Sequence, residues 1–219
     1  MKKFACIVAG GTGTRMLSEI PKQFLTLHEK PVLLHTLLRF KEADPGIAMA
    51  VVLPSTHIGY WENLCNVHDV PEHKIINGGS TRYDSVKNGL DAFEENGLVA
   101  VHDAVRPLIT PAFINRLFEK ASENGNAVPV IHIQETIRMV EGSGNRSADR
   151  SLFRIVQTPQ VFDLVRLKKA FSQPYRQAFT DEATVMELAG ETIHLVDGEA
   201  ANIKITTPAD LSFAERMMV

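Results

Sequence analysis

Cysteine is scarce in this chain: two among 219 residues, Cys6 and Cys65. Neither their spacing nor their surroundings builds a metal site or a disulfide framework, so a reducing, cytoplasmic compartment is expected. The eight histidines are dispersed and never pair at helical spacing, which argues against a zinc enzyme. His35 on an apolar helical face and His132 in a strand pattern read as structural. No apolar run is long enough to cross a membrane. The one that follows Lys2-Lys3 stops at the glycines after Ala9, too short for the core of a secretory signal. Positive charge is not in excess either: a formal net charge of −3 speaks against a nucleic-acid coat or a membrane-surface binder. There is no internal repeat and no low-complexity linker. With 44% hydrophobic residues the chain can bury a full core, and one domain over residues 1–219 is expected.

What is present is alternation. Apolar runs at Phe4–Val8, Ala48–Leu53, Lys74–Ile76, Val99–His102, Ala127–Ile133, Phe153–Gln157 and Thr192–Val196 read as strands. Between and after them, helical patterns cover Val32–Lys41, Gly59–Val67, Thr81–Phe93, Pro111–Asn124, Asp163–Ser172, Asp181–Ala189 and Pro208–Met218. Thr110-Pro111 and Thr207-Pro208 open helices, and Gly190 stops one. Strands alternating with helices predict an α/β fold with a mainly parallel sheet layered by helices. One segment departs from the alternation. Extended residues Gln134–Val140 lead into a Gly142-Ser143-Gly144-Asn145 turn and a polar stretch to Arg150, which reads as a hairpin leaving the sheet or as a surface loop.

The first strand discharges into Gly10-Gly11-Thr12-Gly13-Thr14-Arg15, with Pro21-Lys22-Gln23-Phe24 beyond. Backbone amides in a turn poor in side chains can approach phosphate oxygens closely, and Arg15 and Lys22 add two fixed positive charges. The dinucleotide fingerprint is excluded because Met16 stands where its third glycine is required. The P-loop is excluded because no Lys-Ser or Lys-Thr pair follows at the needed spacing. The glycines alone fit an ordinary strand-to-helix turn as well as a phosphate cradle; Arg15, Lys22 and the Pro21-Lys22-Gln23 triplet favour the cradle. In open α/β sheets ligands collect at the carboxyl ends of strands, where Asp103 and Arg106 also fall. Lys204 lies in a short extended run, Asn202–Thr206, alternating with apolar Ile203 and Ile205.

These motifs resemble those of sugar-phosphate nucleotidyltransferases, and among them the chain is most similar to the 2-C-methyl-D-erythritol 4-phosphate cytidylyltransferase family. The likeness runs through Ala9-Gly10-Gly11, Gly13, Arg15-Met16 and Pro21-Lys22-Gln23-Phe24. It continues at Gly78-Gly79, Arg82, Asp84-Ser85-Val86, Val101–Pro107, Asp149-Arg150, Gln157-Thr158-Pro159-Gln160, Thr180–Ala183 and Asn202–Thr206. It implies a Rossmann-like nucleotidyltransferase sheet with a protruding β-arm at about 134–152 that reaches a second subunit, and hence a homodimer. It implies Mg²⁺, or another divalent cation, with CTP and a polyol phosphate as substrates. By this resemblance Arg15 and Lys22 stabilise the transition state, while Arg150, from the neighbouring arm, and Lys204 hold the acceptor phosphate. Ala9, Gly10, Gly11, Thr12, Gly13, Gly79, Ser80 and Ser85 then contact the nucleotide, and Asp103, Arg106, Thr136 and Thr180 the acceptor. Asp103 is also the candidate metal ligand.

Gly10 and Ser80 depart from the family pattern, where bacterial members carry alanine and an acidic residue. Thr180-Asp181-Glu182 doubles as a helix start. The expected activity is transfer of a cytidylyl group from CTP to 2-C-methyl-D-erythritol 4-phosphate with release of pyrophosphate, in non-mevalonate isoprenoid biosynthesis. Ribitol 5-phosphate is the alternative acceptor, and a non-catalytic nucleotide-sensing module the non-enzyme alternative.

Overall fold

The computed structural model describes residues 1–10 and 20–218. Gly11, Thr12, Gly13 and Arg15 therefore lie outside the described residues. The chain begins with β1 (Lys2–Val8), a 3₁₀ turn at Lys22–Phe24, a small ribbon of β2 (Thr26–Leu27) and β3 (Lys30–Pro31), and α1 (Val32–Ala43). Next come β4 (Ala48–Leu53), α2 (Ser55–Val67), β5 (Lys74–Asn77), α3 (Arg82–Asp91), β6 (Gly97–Asp103) and α4 (Pro111–Asn124). They are followed by β7 (Asn126–His132), β8 (Arg138–Glu141), β9 (Gly144–Ser147) and a 3₁₀ turn at Arg150–Leu152. The chain closes with β10 (Arg154–Val156), β11 (Gln160–Asp163), α5 (Leu164–Ala170), α6 (Glu182–Leu188), β12 (Leu195–Asp197) and α7 (Pro208–Met217).

The main sheet has the order β10-β7-β11-β6-β1-β4-β5, with β12 paired to β7. β1 runs parallel to both β4 and β6, and β4 parallel to β5. β10 and β11 run antiparallel to their neighbours. Strand β1 reads as a continuous apolar run because helices cover both its faces. Ala5 and Ile7 pack with α1, α2 and α4 through Leu37, Phe40, Trp61 and Phe113. Phe4 and Cys6 face α3, α5 and α6 through Val86, Leu90, Leu167 and Met186. A third apolar cluster, Leu27, Val32, Val105, Leu108, Ile205 and Ala214, sits among β2, α1, the segment after β6 and α7.

Several expectations hold in detail. Thr110 caps α4 ahead of Pro111, Thr207 forms a capping box with Asp210 ahead of α7, and Gly190 just past α6 takes the left-handed conformation that favours glycine. Helix α2 starts at Ser55 instead of Gly59, directly after Pro54, whose extended backbone sets the entry. Asp163 is the N-cap of α5, its side chain accepting from the Arg166 amide at 2.9 Å. The strand expected at Thr192–Val196 falls later, at Leu195–Asp197, and Phe153–Gln157 contracts to the exposed Arg154–Val156. Gln160–Asp163, whose sequence suggests no element of its own, is a buried antiparallel strand between β6 and β7. Asn202–Thr206 is not a strand; the Ile205 amide donates to Val105 O at 2.9 Å. The hairpin reading of the arm holds: among the described residues β8 and β9 pair only with each other, and β9 is exposed throughout.

Candidate active site

The chain leaves β1 outward to β4 and β5, then returns to place β6 on the other side of β1. A crevice opens at such a reversal, outside the carboxyl ends of the strands. Val8 and Asp103, the last residues of β1 and β6, are register partners. The Ala9 amide donates to Val52 O at 2.9 Å and the Ala104 amide to Val8 O at 3.0 Å, which fixes the floor. Above it lies a cavity of about 280 Å³ lined by Ala9, Gly10, Lys22, Gln23, Gly79, Ser80, Arg82, Ser85, Asp103 and Lys204, among others.

Three charges meet on one oxygen. Lys204 Nζ lies 3.1 Å from Asp103 Oδ2, and Arg106 Nε donates to the same oxygen at 3.2 Å. Burial alone would push the Asp103 carboxyl up, but Lys204, Arg106 and Arg82 together hold it below the usual carboxylate range. The group is a carboxylate bridging two cations, with a net charge of +1. Arg106 is locked from its other end, where Nη1 donates to Asn202 O at 2.8 Å. Arg106 thus orients Asp103 without itself lining the cavity. His102, fully buried next door, has its Nδ1 3.1 Å from Thr158 Oγ1 and its Nε2 3.2 Å from Arg106 O. Burial drives its pKa down to about 4, so the ring is neutral at pH 7.

The opposite wall is the start of α3. Thr81 caps it in a reciprocal box with Asp84, and the Ser80 hydroxyl donates to Asp84 Oδ2 at 2.7 Å. Ser85 Oγ accepts from the Gly79 amide at 3.1 Å and donates to Thr81 O at 2.9 Å. A Cβ on Gly79 would fall 2.2 Å from Asp84 Cβ, so only glycine allows the loop to lie this close to the helix. Gly10 is different: among the described residues a Cβ there meets nothing within 4 Å, and its backbone is outside the left-handed region.

Arg82 is the first residue of α3, and Glu182 the first of α6. Arg82 Nη1 and Nη2 donate to Glu182 Oε1 and Oε2 at 2.5 and 3.0 Å, a bidentate pair whose carboxylate is completely buried. On the β1 side, Lys22 is nearly buried within its 3₁₀ turn. Gln23 Nε2 donates to Ala9 O at 2.9 Å, and Phe24 stacks on Trp61 with ring centroids 6.0 Å apart.

The segment 157–160, the connector from β10 together with the first residue of β11, ties these walls together. Gln157 Nε2 donates to the carbonyls of Glu199 at 2.8 Å and Asn202 at 3.2 Å, steadying the segment that leads to Lys204. Thr158 Oγ1 accepts from the Asp103 amide at 3.0 Å. Gln160 Oε1 accepts from the Ala183 amide at 2.9 Å while its Nε2 donates to Asp181 Oδ2 at 2.8 Å, so it grips the turn that carries Glu182.

Of the expected site residues, Ala9, Gly10, Lys22, Gly79, Ser80, Ser85, Asp103 and Lys204 come together around one cavity. Thr136 and Arg150 do not line it; both are exposed at the base of the arm, where Arg150 Nη1 donates to Gln134 O. Thr180 is exposed just ahead of α6. Gln23, Thr81 and Arg82 line the cavity although sequence reasoning assigns them no role; for Gln23 and Arg82 the available signal is that both stand inside the shared motifs. Among the described residues no cluster of three or more His, Cys, Asp or Glu could hold a metal.

The family model described as IspD, 2-C-methyl-D-erythritol 4-phosphate cytidylyltransferase, matches residues 4–219 of the chain. A Bacteroides thetaiotaomicron protein of that name is 43% identical over 219 residues, covering 100% of both chains. One from Phocaeicola vulgatus is 44% identical over 216 residues, covering 98% of this chain and 99% of its own. Among solved structures, the enzyme of that name from Thermus thermophilus superposes with a TM-score of 0.79 at 31% identity over 100% of both chains. Its counterpart from Francisella tularensis gives 0.82 at 30% identity, covering 99% of this chain and 100% of that one.

Proposed function

This chain belongs to the 2-C-methyl-D-erythritol 4-phosphate cytidylyltransferase family, and from that premise we propose how its site works. The reaction transfers the cytidylyl group of CTP to 2-C-methyl-D-erythritol 4-phosphate and releases pyrophosphate. An oxygen of the acceptor phosphate attacks the α-phosphorus of CTP, the bond from that phosphorus to the β-phosphate oxygen breaks, and the electron pair leaves with pyrophosphate. The acceptor is already a nucleophile, so no Ser-His pair is needed. Catalysis is positioning plus charge stabilisation.

The observation that carries this reading is that Lys22, Asp103 and Lys204 line one cavity at the β1/β6 switch point, with Arg106 holding Asp103 from behind. Lys204 is oriented by Asp103 and available to an acceptor phosphate, while Lys22 serves the triphosphate side. Small residues Gly79, Ser80 and Ser85 leave room for a pyrimidine. The donor set suits a Mg²⁺ that arrives on the triphosphate, because Mg²⁺ commonly uses one or two carboxylates plus substrate phosphates. Asp103 is the carboxylate that would hold it. When bound, the ion offsets the charge of the two phosphates brought together.

The active form proposed is a homodimer sharing its sites through the 134–152 arm. Two observations support this: the exposed apolar residues Leu152, Phe153, Ile155 and Val156 beside the arm, and the place of Arg150 outside its own chain's cavity lining. A cytoplasmic location is proposed from the two free cysteines; among the described residues no helix is long and apolar enough to cross a membrane.

Incubation with CTP, Mg²⁺ and 2-C-methyl-D-erythritol 4-phosphate should release pyrophosphate. Replacing the acceptor by ribitol 5-phosphate should cost at least about tenfold in kcat/KM, because its extra hydroxyl must find a partner in a closed site. Lys22→Met should lower kcat about 10²-fold with the fold intact, the scale of losing one transition-state charge donor. Equal turnover with ribitol 5-phosphate would overturn the acceptor assignment, and no pyrophosphate release would overturn the reaction.

A further inference from the structure

We propose, resting on the cytidylyl-transfer reading, that Arg82 is a specificity-determining residue that donates hydrogen bonds to substrate hydroxyl groups, and that Glu182 fits it for this by cancelling its charge. Arg82 lines the same cavity as Lys22, Asp103 and Lys204. Its situation differs from theirs. The Glu182 carboxylate has no exposed side-chain surface and meets both terminal guanidinium nitrogens, at 2.5 and 3.0 Å. Sealed from water, that carboxylate faces the guanidinium with both oxygens, so opposite charges are matched one to one within the pair, which carries no net charge.

The trio across the cavity divides its charge the other way. Lys204 and Arg106 share the single carboxylate of Asp103, leaving one positive charge uncompensated. A phosphate gains most at that surplus, and little at a guanidinium already matched by its own carboxylate. The Arg82 fork still carries donors. A guanidinium has five N–H groups, and Glu182 takes one from each terminal nitrogen, which leaves three. Donors without net charge suit hydroxyl groups, which bind by hydrogen bonding and bring no charge.

The fork is also held still. Gln160, itself fully buried, bonds both Asp181 and the Ala183 amide on either side of Glu182. The guanidinium side chain remains 35% exposed, open to the cavity that it lines. A fixed donor fork of this kind discriminates by leaving its own N–H groups unpaired when a hydroxyl is missing. Both substrates carry hydroxyls, on the ribose of the nucleotide and on the acceptor polyol, and the test separates them.

The variant is Arg82→Gln with Glu182→Gln, which removes both charges together and leaves an amide pair in their place. Its melting temperature reports folding. Arg82→Lys is the companion, because it keeps Glu182 compensated while spending its ammonium on that contact. For wild type and both variants, kcat/KM is compared for CTP against 2′-deoxy-CTP and 3′-deoxy-CTP, and for the acceptor against analogues lacking one hydroxyl. The expected result is a wild-type preference for one hydroxylated substrate that falls by about tenfold or more in both variants. A drop confined to the nucleotide series places the contact at the ribose, and one confined to the acceptor series places it at the polyol.

Unchanged preferences in folded variants, or a uniform loss of activity across every substrate, would overturn the proposal and leave the pair a structural or purely electrostatic element. A wild type indifferent to every missing hydroxyl would overturn it as well. If the wild type releases no pyrophosphate at all, the reaction assignment fails separately. Calorimetric binding of CTP against 2′-deoxy-CTP and 3′-deoxy-CTP, and of the acceptor against its deoxy analogues, then decides the role of Arg82 without turnover.

Discussion

His102 shows how a single buried residue couples the site to pH. Its ring is wedged between Thr158 and the Arg106 carbonyl, and burial lowers its pKa from 6.5 to about 4. The unfolded chain therefore binds this proton more tightly than the folded one. Its contribution to stability is complete above pH 6.5 and is lost as pH falls toward 4, by up to about 3 kcal/mol for a shift of this size. His102→Gln, which cannot titrate, should show a shallower fall of melting temperature between pH 6.5 and 4 than wild type; parallel curves would show that the ring is not held neutral. At this scale the sequence is most legible where motifs are contiguous. Asp103, Lys22, Gly79 and Ser85 stand in short runs whose position after strands or before a helix points at a crevice. For Arg106 the family resemblance implies a substrate contact; Asp103 and the Asn202 carbonyl engage two of its five N–H groups. Glu182 reads as part of a helix start and of the Thr180–Ala183 motif, but its pairing is not legible, because its partner lies 100 positions away and no local pattern encodes such a contact.

Among the elements, α3 carries the tightest constraint. Gly89 sits in the last turn of this helix, where alanine is ordinarily favoured by up to about 1 kcal/mol. A Cβ there would fall 2.4 Å from Cys6 Sγ and 2.7 Å from Val52 Cγ2, both on the central strands. Gly89→Ala should therefore destabilise by about 1–3 kcal/mol through overpacking, the reverse of the propensity effect. It should also disturb turnover, because the same helix presents Arg82 and Ser85 to the cavity. A raised melting temperature would show that α3 can lift off the sheet without cost. Parallel strands buried on both faces announce themselves as apolar runs, and β1, β4, β6 and β7 are legible for that reason. β11 is not: it is four residues long, opens with Gln160 and leads straight into a helix cap, so its pattern merges with its flanks. Its strand character comes from the neighbours it fits between, and that information is tertiary.

For the whole molecule, the prediction concerns which chain completes which site. If Arg150 serves the partner's cavity, a Lys204→Met chain and an Arg150→Met chain, each inactive alone, should regain about a quarter of wild-type activity after mixing at equal amounts and exchange. Only one site of each heterodimer then holds both native side chains. No recovery in a mixture shown to exchange would assign each site to a single chain. The arm is legible as a hairpin from its turn residues, whereas its occupant is not, because nothing in an exposed strand says what covers it. The 157–160 connector has a consequence for biosynthesis. It binds Asp103 upstream, the turn around Glu182, and the Glu199–Asn202 segment further downstream. A chain emerging from the ribosome therefore displays β1, α3 and β6 long before Glu182, the partner of Arg82, and Lys204, the second partner of Asp103, exist. Until then Asp103 has Arg106 beside it, three residues on. The Arg82–Glu182 and Lys204–Asp103 contacts each require a long loop to close first, at the entropy such a loop costs, so the charge balance of the cavity is set from the far end of the chain.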